Sequence, residues 1–366
     1  MRKGLIQLLA AFLFVMIIFS SISYIQLFAF DISETANTQT ILNNYEIETV
    51  SIPLITDINI IESFGWIARS AGTELREVPY GGRFEVVRVG TAFRILAESE
   101  GWWKVETHPD DGSRIGWIRN AHAFINLPDA VPSLQIRNTN AGYGGGAIFT
   151  VNSAPLLGIN GQTLYNENWV DPRGGFAMPI ALSTAEMLAS AQAAAQEYGG
   201  LIVYDAFRPK SAQTRVFFAM HVQFPSPGGW ALPNFISPGI SGHQLGVAVD
   251  VRLGDHPMPS NMHDLHPVSA LFQRMQPSSG WNFSWNDNPP LSSLTALRSP
   301  AFNPTHDRFL PEAVRLQKIM SDAGFTSIAS EWWHFDDRAG RIEAVNNGIA
   351  GTFDLLQPIW VNNKTQ

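Results

Sequence analysis

Two short stretches carry residue types that could hold a metal ion and move a proton. In Ser241-Gly242-His243-Gln244-Leu245-Gly246-Val247-Ala248-Val249-Asp250 a glycine-bearing loop runs into a β-branched strand, and an imidazole and a carboxylate flank the turn. Glu331-Trp332-Trp333-His334 supplies a second imidazole and a second carboxylate three residues apart. Imidazole nitrogen and carboxylate oxygen both suit zinc, and a catalytic zinc needs three protein ligands plus an open position for water. His243, Asp250 and His334 are the candidate ligands, and Glu331 is the candidate proton acceptor. The i, i+3 spacing puts Glu331 and His334 on one face of a helical turn, but on opposite faces of an ideal strand; a strand here must bend.

Attack on an amide builds negative charge on the carbonyl oxygen, which calls for a cation. Arg208 is the candidate, in Tyr204-Asp205-Ala206-Phe207-Arg208-Pro209 after an apolar run, with Pro209 favouring an extended arginine backbone. Plainer readings exist: Arg208 could pair with Asp205 at the surface, and Asp250 could cap the following turn. Trp332 and Trp333 are expected to pack beneath the site and shield it. His256, His263 and His266 form a second cluster on a Pro-rich loop, where solvated histidines are the commoner outcome.

The elements that must position these groups follow from periodicity and punctuation. Ser183 and Glu186 have capping-box spacing before an Ala-rich helix that runs to Tyr198 and stops at Gly199-Gly200. Leu201 to Tyr204 reads as a strand, Ser211 to His221 as a helix, Val247 to Val251 as a strand, and Pro311 to Ala323 as a helix ended by Gly324. Helices and strands mixed in that order argue an α+β fold over residues 128–366. Upstream, Phe84 to Val89, Phe93 to Ala97, Trp102 to Val105 and Gly116 to Ile118 are short β-like runs separated by turn residues, which predicts a small all-β barrel over residues 62–127.

The chain has 366 residues, 45% of them hydrophobic, a net charge of −8 and no cysteine. Such length allows two folded domains. The acidic balance without a basic tract disfavours nucleic acid as a partner. Without cysteine, any metal must be held by His, Asp or Glu. Arg2 and Lys3 precede an apolar run from Leu5 to Phe28, so residues 1–30 read as a signal peptide or membrane anchor, 31–61 as a spacer, and the remainder as extracytoplasmic.

Ser241 through Asp250 resembles the Ser-x-His-x-x-Gly-x-Ala-x-Asp motif of the D-alanyl-D-alanine dipeptidases and D,D-carboxypeptidases, matching every fixed position. Arg208-Pro209 and Glu331-Trp332-Trp333-His334 match in chain order, and the similarity spans residues 128 to 340. The resemblance implies a zinc peptidase domain with an antiparallel central sheet and one zinc held by His243, Asp250 and His334. It further implies Glu331 as general base, Arg208 stabilising the tetrahedral intermediate, and Ser241 in the substrate cleft. A weaker similarity, in Met258 to Leu265, points to Asp264 as the group that recognises the substrate's free amino end. The implied substrate is D-Ala-D-Ala; the alternatives are trimming of longer stem peptides, or a wall-binding protein that keeps a structural zinc. Gly101-Trp102-Trp103-Lys104-Val105, Asp110-Asp111-Gly112 and Gly116-Trp117-Ile118 resemble the end of bacterial SH3-like domains, which implies peptidoglycan as a partner of residues 62–127. The same tryptophans could equally be barrel core.

Overall fold

A computed structural model describes residues 58–137, 149–151, 154–159, 165, 169–223, 236, 239–254, 256–258, 263, 302–303, 308–309, 311–328 and 331–361. The expected export or anchor segment, residues 31–57 of the expected spacer and Asp264 lie outside these residues, whereas residues 58–61 of that spacer are ordered against the fold, the Asn59 amide donating to the Ala130 carbonyl. No helix among the described residues is long and apolar enough to cross a membrane.

The first strands are β1 (Phe64–Ile67), β2 (Thr73–Arg76), β3 (Arg83–Val87), β4 (Ala92–Ser99), β5 (Trp102–Thr107), β6 (Ile115–Arg119) and β7 (Ala123–Asn126). Then come β8 (Gln135–Ile136), β9 (Pro179–Ile180), α1 (Leu182–Ala195), β10 (Leu201–Asp205), α2 (Lys210–Gln223) and β11 (Ala248–Leu253). The C-terminal part holds α3 (Pro311–Asp322), β12 (Thr326–Ile328), β13 (Glu331–Asp336) and α4 (Arg338–Asn346).

An eight-stranded sheet runs in the order β9-β7-β1-β4-β5-β6-β2-β3. In β5, Trp103 and Val105 alternate with half-buried Lys104, as a strand with one face on a core requires. Trp66, Phe93, Ile95, Trp103 and Ile118 fill that core, and Trp102 is buried too. Asp110 and Asp111 lie in a 3₁₀ turn over Pro109–Asp111, closed by Gly112 in the left-handed region. The eighth strand, β9, comes from beyond residue 128. Pro179 and Ile180 pair with Asn126 and Ile125, and the Leu127 amide donates to the Met178 carbonyl.

The sheet that positions the site has the order β12-β13-β11-β10-β8. It is antiparallel except at its edge, where β8 runs parallel to β10. β10 is buried along its whole length, and α1 and α3 pack together over the sheet, which accounts for its continuous apolar run. The expected helix from Ser183 is present, but the capping box is not. Ala181 occupies the N-cap without a side-chain bond, while the Ser183 and Thr184 hydroxyls donate to Asp337 Oδ2. Asp337 is itself the N-cap of α4, its carboxylate accepting from the Gly340 amide, so one acid ties the starts of two helices. That long-range demand outcompetes the local i, i+3 pairing.

Candidate metal centre

Three neighbouring strands place a row of polar groups on one face. Asp205 of β10 pairs in register with Asp250 of β11, which pairs with His334 of β13. Cross-strand partners on one face lie about 5 Å apart at Cβ, so this register alone brings the three side chains together. A bulge at Tyr204 sets Asp205 opposite Asp250. A second irregularity does the same for Glu331: β12 pairs Ser327 with Phe335 and Ile328 with Glu331, so three residues of β13 bow out between those partners. This is the bend the Glu331/His334 spacing demands of a strand, and it leaves Glu331 Oε2 3.9 Å from His334 Nδ1.

His243 enters from the loop before β11. A 3₁₀ turn over His243–Leu245 ends at Gly246, whose φ of +66° glycine adopts without strain. At Gly242 the constraint is space, since a Cβ would lie 2.6 Å from Asp336 Oδ1. On the facing side, Phe207 stacks on Trp169 and on Phe353. That anchored ring holds the flanking Ala206 carbonyl and Arg208 toward the site.

His243 Nε2, His334 Nδ1 and Asp250 Oδ1 form a triangle with edges of 3.1, 3.2 and 3.1 Å. Donors on a tetrahedral shell with bonds of about 2.0–2.1 Å would stand about 3.3 Å apart, so the spacing fits one ion. The outer nitrogens fix the tautomers. His243 Nδ1 donates to the Ala206 carbonyl at 2.8 Å, and His334 Nε2 faces Asp336 Oδ1 at 3.3 Å. Both inner nitrogens therefore turn lone pairs toward a carboxylate oxygen, and three acceptors at this distance require positive charge between them. The titration behaviour agrees: burial works against a charged His334, yet Asp336 and Asp250 outweigh it and raise its pKa well above the ordinary value. Asp250 is held well below its usual range, burial being overcome by the surrounding histidines. A metal ion and a proton compete for such a place.

Glu331 lies outside the triangle. Burial pushes its carboxyl up to about 8, against the pull of His334. Arg208 is fully buried and, contrary to a surface pairing, meets Asp205 in the interior: Nε donates at 2.8 Å, and Nη2 reaches Asp205 Oδ2 at 2.7 Å and Asp250 Oδ2 at 3.3 Å. Nη1 donates to Gln213 Oε1 at 3.0 Å. Burial opposes the charge, but the two aspartates outweigh it and hold the proton. Removing either partner would strand a buried charge, at about 3–5 kcal/mol.

His243, Asp250, His334, Glu331, Arg208 and Ser241 all line one cavity of about 210 Å³, with Trp333 in its wall. Ser241 Oγ is buried without a hydrogen-bond partner among the described residues. Among those residues a buried His243–Asp250–His334 group is the one that could bind a metal ion. No family model matches the chain. The chain is similar to the D-alanyl-D-alanine dipeptidase of Escherichia coli K12, at 30% identity over 141 residues. Those residues are 37% of this chain and 54% of the relative, so the match spans about half of that protein's length.

Several groups at the site escaped the sequence reading. Asp336 could have been found, because it lies two residues after His334 and alternate strand residues share a face. Asp205 as a buried partner, Gln213 and Phe149 had no such signal. Of the second histidine cluster, His266 lies outside the described residues, and His256 and His263 have separate partners. His256 Nε2 bonds the Tyr198 carbonyl, whereas His263 Nε2 joins the main site at Asp250.

Proposed function

We propose that this chain is a zinc-dependent peptidase that hydrolyses D-Ala-D-Ala, or a peptide ending in it, outside the cytoplasm. The observation that carries the reading is the convergence of two histidines and one aspartate, with a buried acid just outside their triangle, in a single cavity. The partial likeness to a D-alanyl-D-alanine dipeptidase supports the same substrate class.

His243, Asp250 and His334 would hold the zinc, which when bound supplies Lewis acidity toward water and a carbonyl oxygen. Glu331, just outside the triangle, takes the proton from the attacking water and passes it to the leaving amine. Arg208 faces the developing negative charge with the second N–H of Nη1, since Nε and Nη2 are engaged by the aspartates and the other Nη1 N–H by Gln213. The unpartnered Ser241 hydroxyl offers the substrate a hydrogen bond, and Asp264 receives its free amino group. Residues 62–127 act as an SH3-like module toward peptidoglycan, and the N-terminal apolar segment directs export.

The test is D-alanine release by the purified full-length chain from free D-Ala-D-Ala and from a stem pentapeptide in parallel. Release from the dipeptide is the expected result. Release from the pentapeptide alone would make the enzyme a D,D-carboxypeptidase, and release from neither with zinc bound would leave a wall-binding protein and refute the reading.

A further inference from the structure

Asp250 uses its two oxygens differently. Oδ1 faces His243 Nε2 and His334 Nδ1, while Oδ2 accepts from His263 Nε2 at 2.8 Å and from Arg208 Nη2 at 3.3 Å. The two donors to Oδ2 share a wall. The Phe149 ring stacks on His263, with centroids 5.0 Å apart and planes within 20°, and carries the Arg208 guanidinium 5.3 Å from its centre. Trp333 meets the His263 ring edge-on at 6.0 Å.

His263 is not shaped for its place by local preference. Its φ is +56°, a left-handed conformation that costs a β-carbon-bearing residue, and strain of that kind persists where the surroundings over-determine it. The ring is 1% exposed, and its carbonyl accepts from the Thr150 amide. Backbone and ring are thus both tied, and the tie ends on a candidate metal ligand.

We propose that His263 is a positioning residue for metal binding: its Nε2–H holds Asp250 Oδ2 so that Oδ1 alone is presented to the ion. This rests on the metal-binding reading of the His243–Asp250–His334 group. The hydrogen bond fixes the carboxylate's rotation, keeps Asp250 from chelating through both oxygens, and leaves room beside the ion for water and a substrate carbonyl.

Two substitutions separate the hydrogen bond from the packing. His263→Phe keeps a flat ring against Phe149 and Trp333 but removes the donor, whereas His263→Gln keeps an N–H within reach of Oδ2. Zinc affinity is read by competition with a chromogenic chelator, using the full-length chain, with thermal unfolding of the chelated protein as the folding control. The expected result is affinity about ten- to a hundred-fold weaker in His263→Phe, near wild type in His263→Gln, with both chelated variants folded. Wild-type affinity in His263→Phe, or equal weakening in both variants, would overturn the proposal. Absence of zinc binding by the wild type would instead overturn the metal reading beneath it.

Discussion

Replacing Glu331 with glutamine separates its role as a base from a role in holding metal. The side chain lies outside the triangle of donor atoms, 3.9 Å from His334 Nδ1, so Glu331→Gln should leave zinc bound at one per chain. A positioned general base contributes about 10²–10⁴ in rate; a loss of that size corresponds to about 3–5 kcal/mol of barrier. The substitution carries a second signature, in stability. In the chelated protein the unfolded chain ionises Glu331 near the ordinary 4.5, while the folded chain holds the proton to about 8. Because the folded pKa is the higher one, this group's contribution is full below pH 4.5 and declines as pH rises through that window. At neutral pH the decline amounts to about 3 kcal/mol at 1.4 kcal/mol per pKa unit, and glutamine abolishes it. Steady-state kinetics with zinc analysis, and melting of the chelated proteins from pH 4.5 to 8, read both effects. The variant should bind zinc, turn over at least a hundred-fold more slowly, and gain stability over wild type as pH rises. Turnover within a few-fold of wild type would refute the base assignment, and loss of zinc would make Glu331 a ligand.

Two further perturbations test one support of the site and one partly buried histidine between β6 and β7. Gly242→Ala would drive a methyl against Asp336 Oδ1 and Ala248 Cβ, at 2.6 and 2.8 Å; it should cost about 1–3 kcal/mol by urea unfolding and weaken zinc binding through the displaced Asp336–His334 contact, and unchanged values for both would contradict the role given to that contact. His122, in the amino-terminal sheet unit, bonds Thr73 Oγ1, and burial together with Arg69 and Arg119 lowers its pKa from 6.5 to about 4. Its folded pKa is the lower one, so stability falls as pH drops from 6.5 toward 4; His122→Gln should flatten that limb of the denaturation profile, and an unchanged limb would reject the assignment.

The sequence declared the centre of the site and concealed its surroundings. His243, Asp250 and Glu331 to His334 were legible because glycine punctuation and donor chemistry sit close together along the chain, and the bend in β13 was already implied by a carboxylate and an imidazole three apart. Arg208 was legible as a cation at a strand end, but its burial depends on Asp205 standing in register with Asp250, which only strand pairing decides. His263 read as a solvated loop histidine, because nothing near it in the chain announces the Phe149 wall or the Asp250 oxygen it meets. The capping box failed for the same reason, as Asp337 claims the Ser183 hydroxyl from 154 residues away. Local spacing identifies donors well, whereas the partners of donors are a property of the fold.

The most direct test of the account is hydrolysis of D-Ala-D-Ala by the full-length chain, first stripped of metal and then given one equivalent of zinc. No D-alanine release is expected from the stripped protein, and full release once zinc is added. Release that is indifferent to zinc, or none with zinc bound and the chain folded, would contradict that expectation.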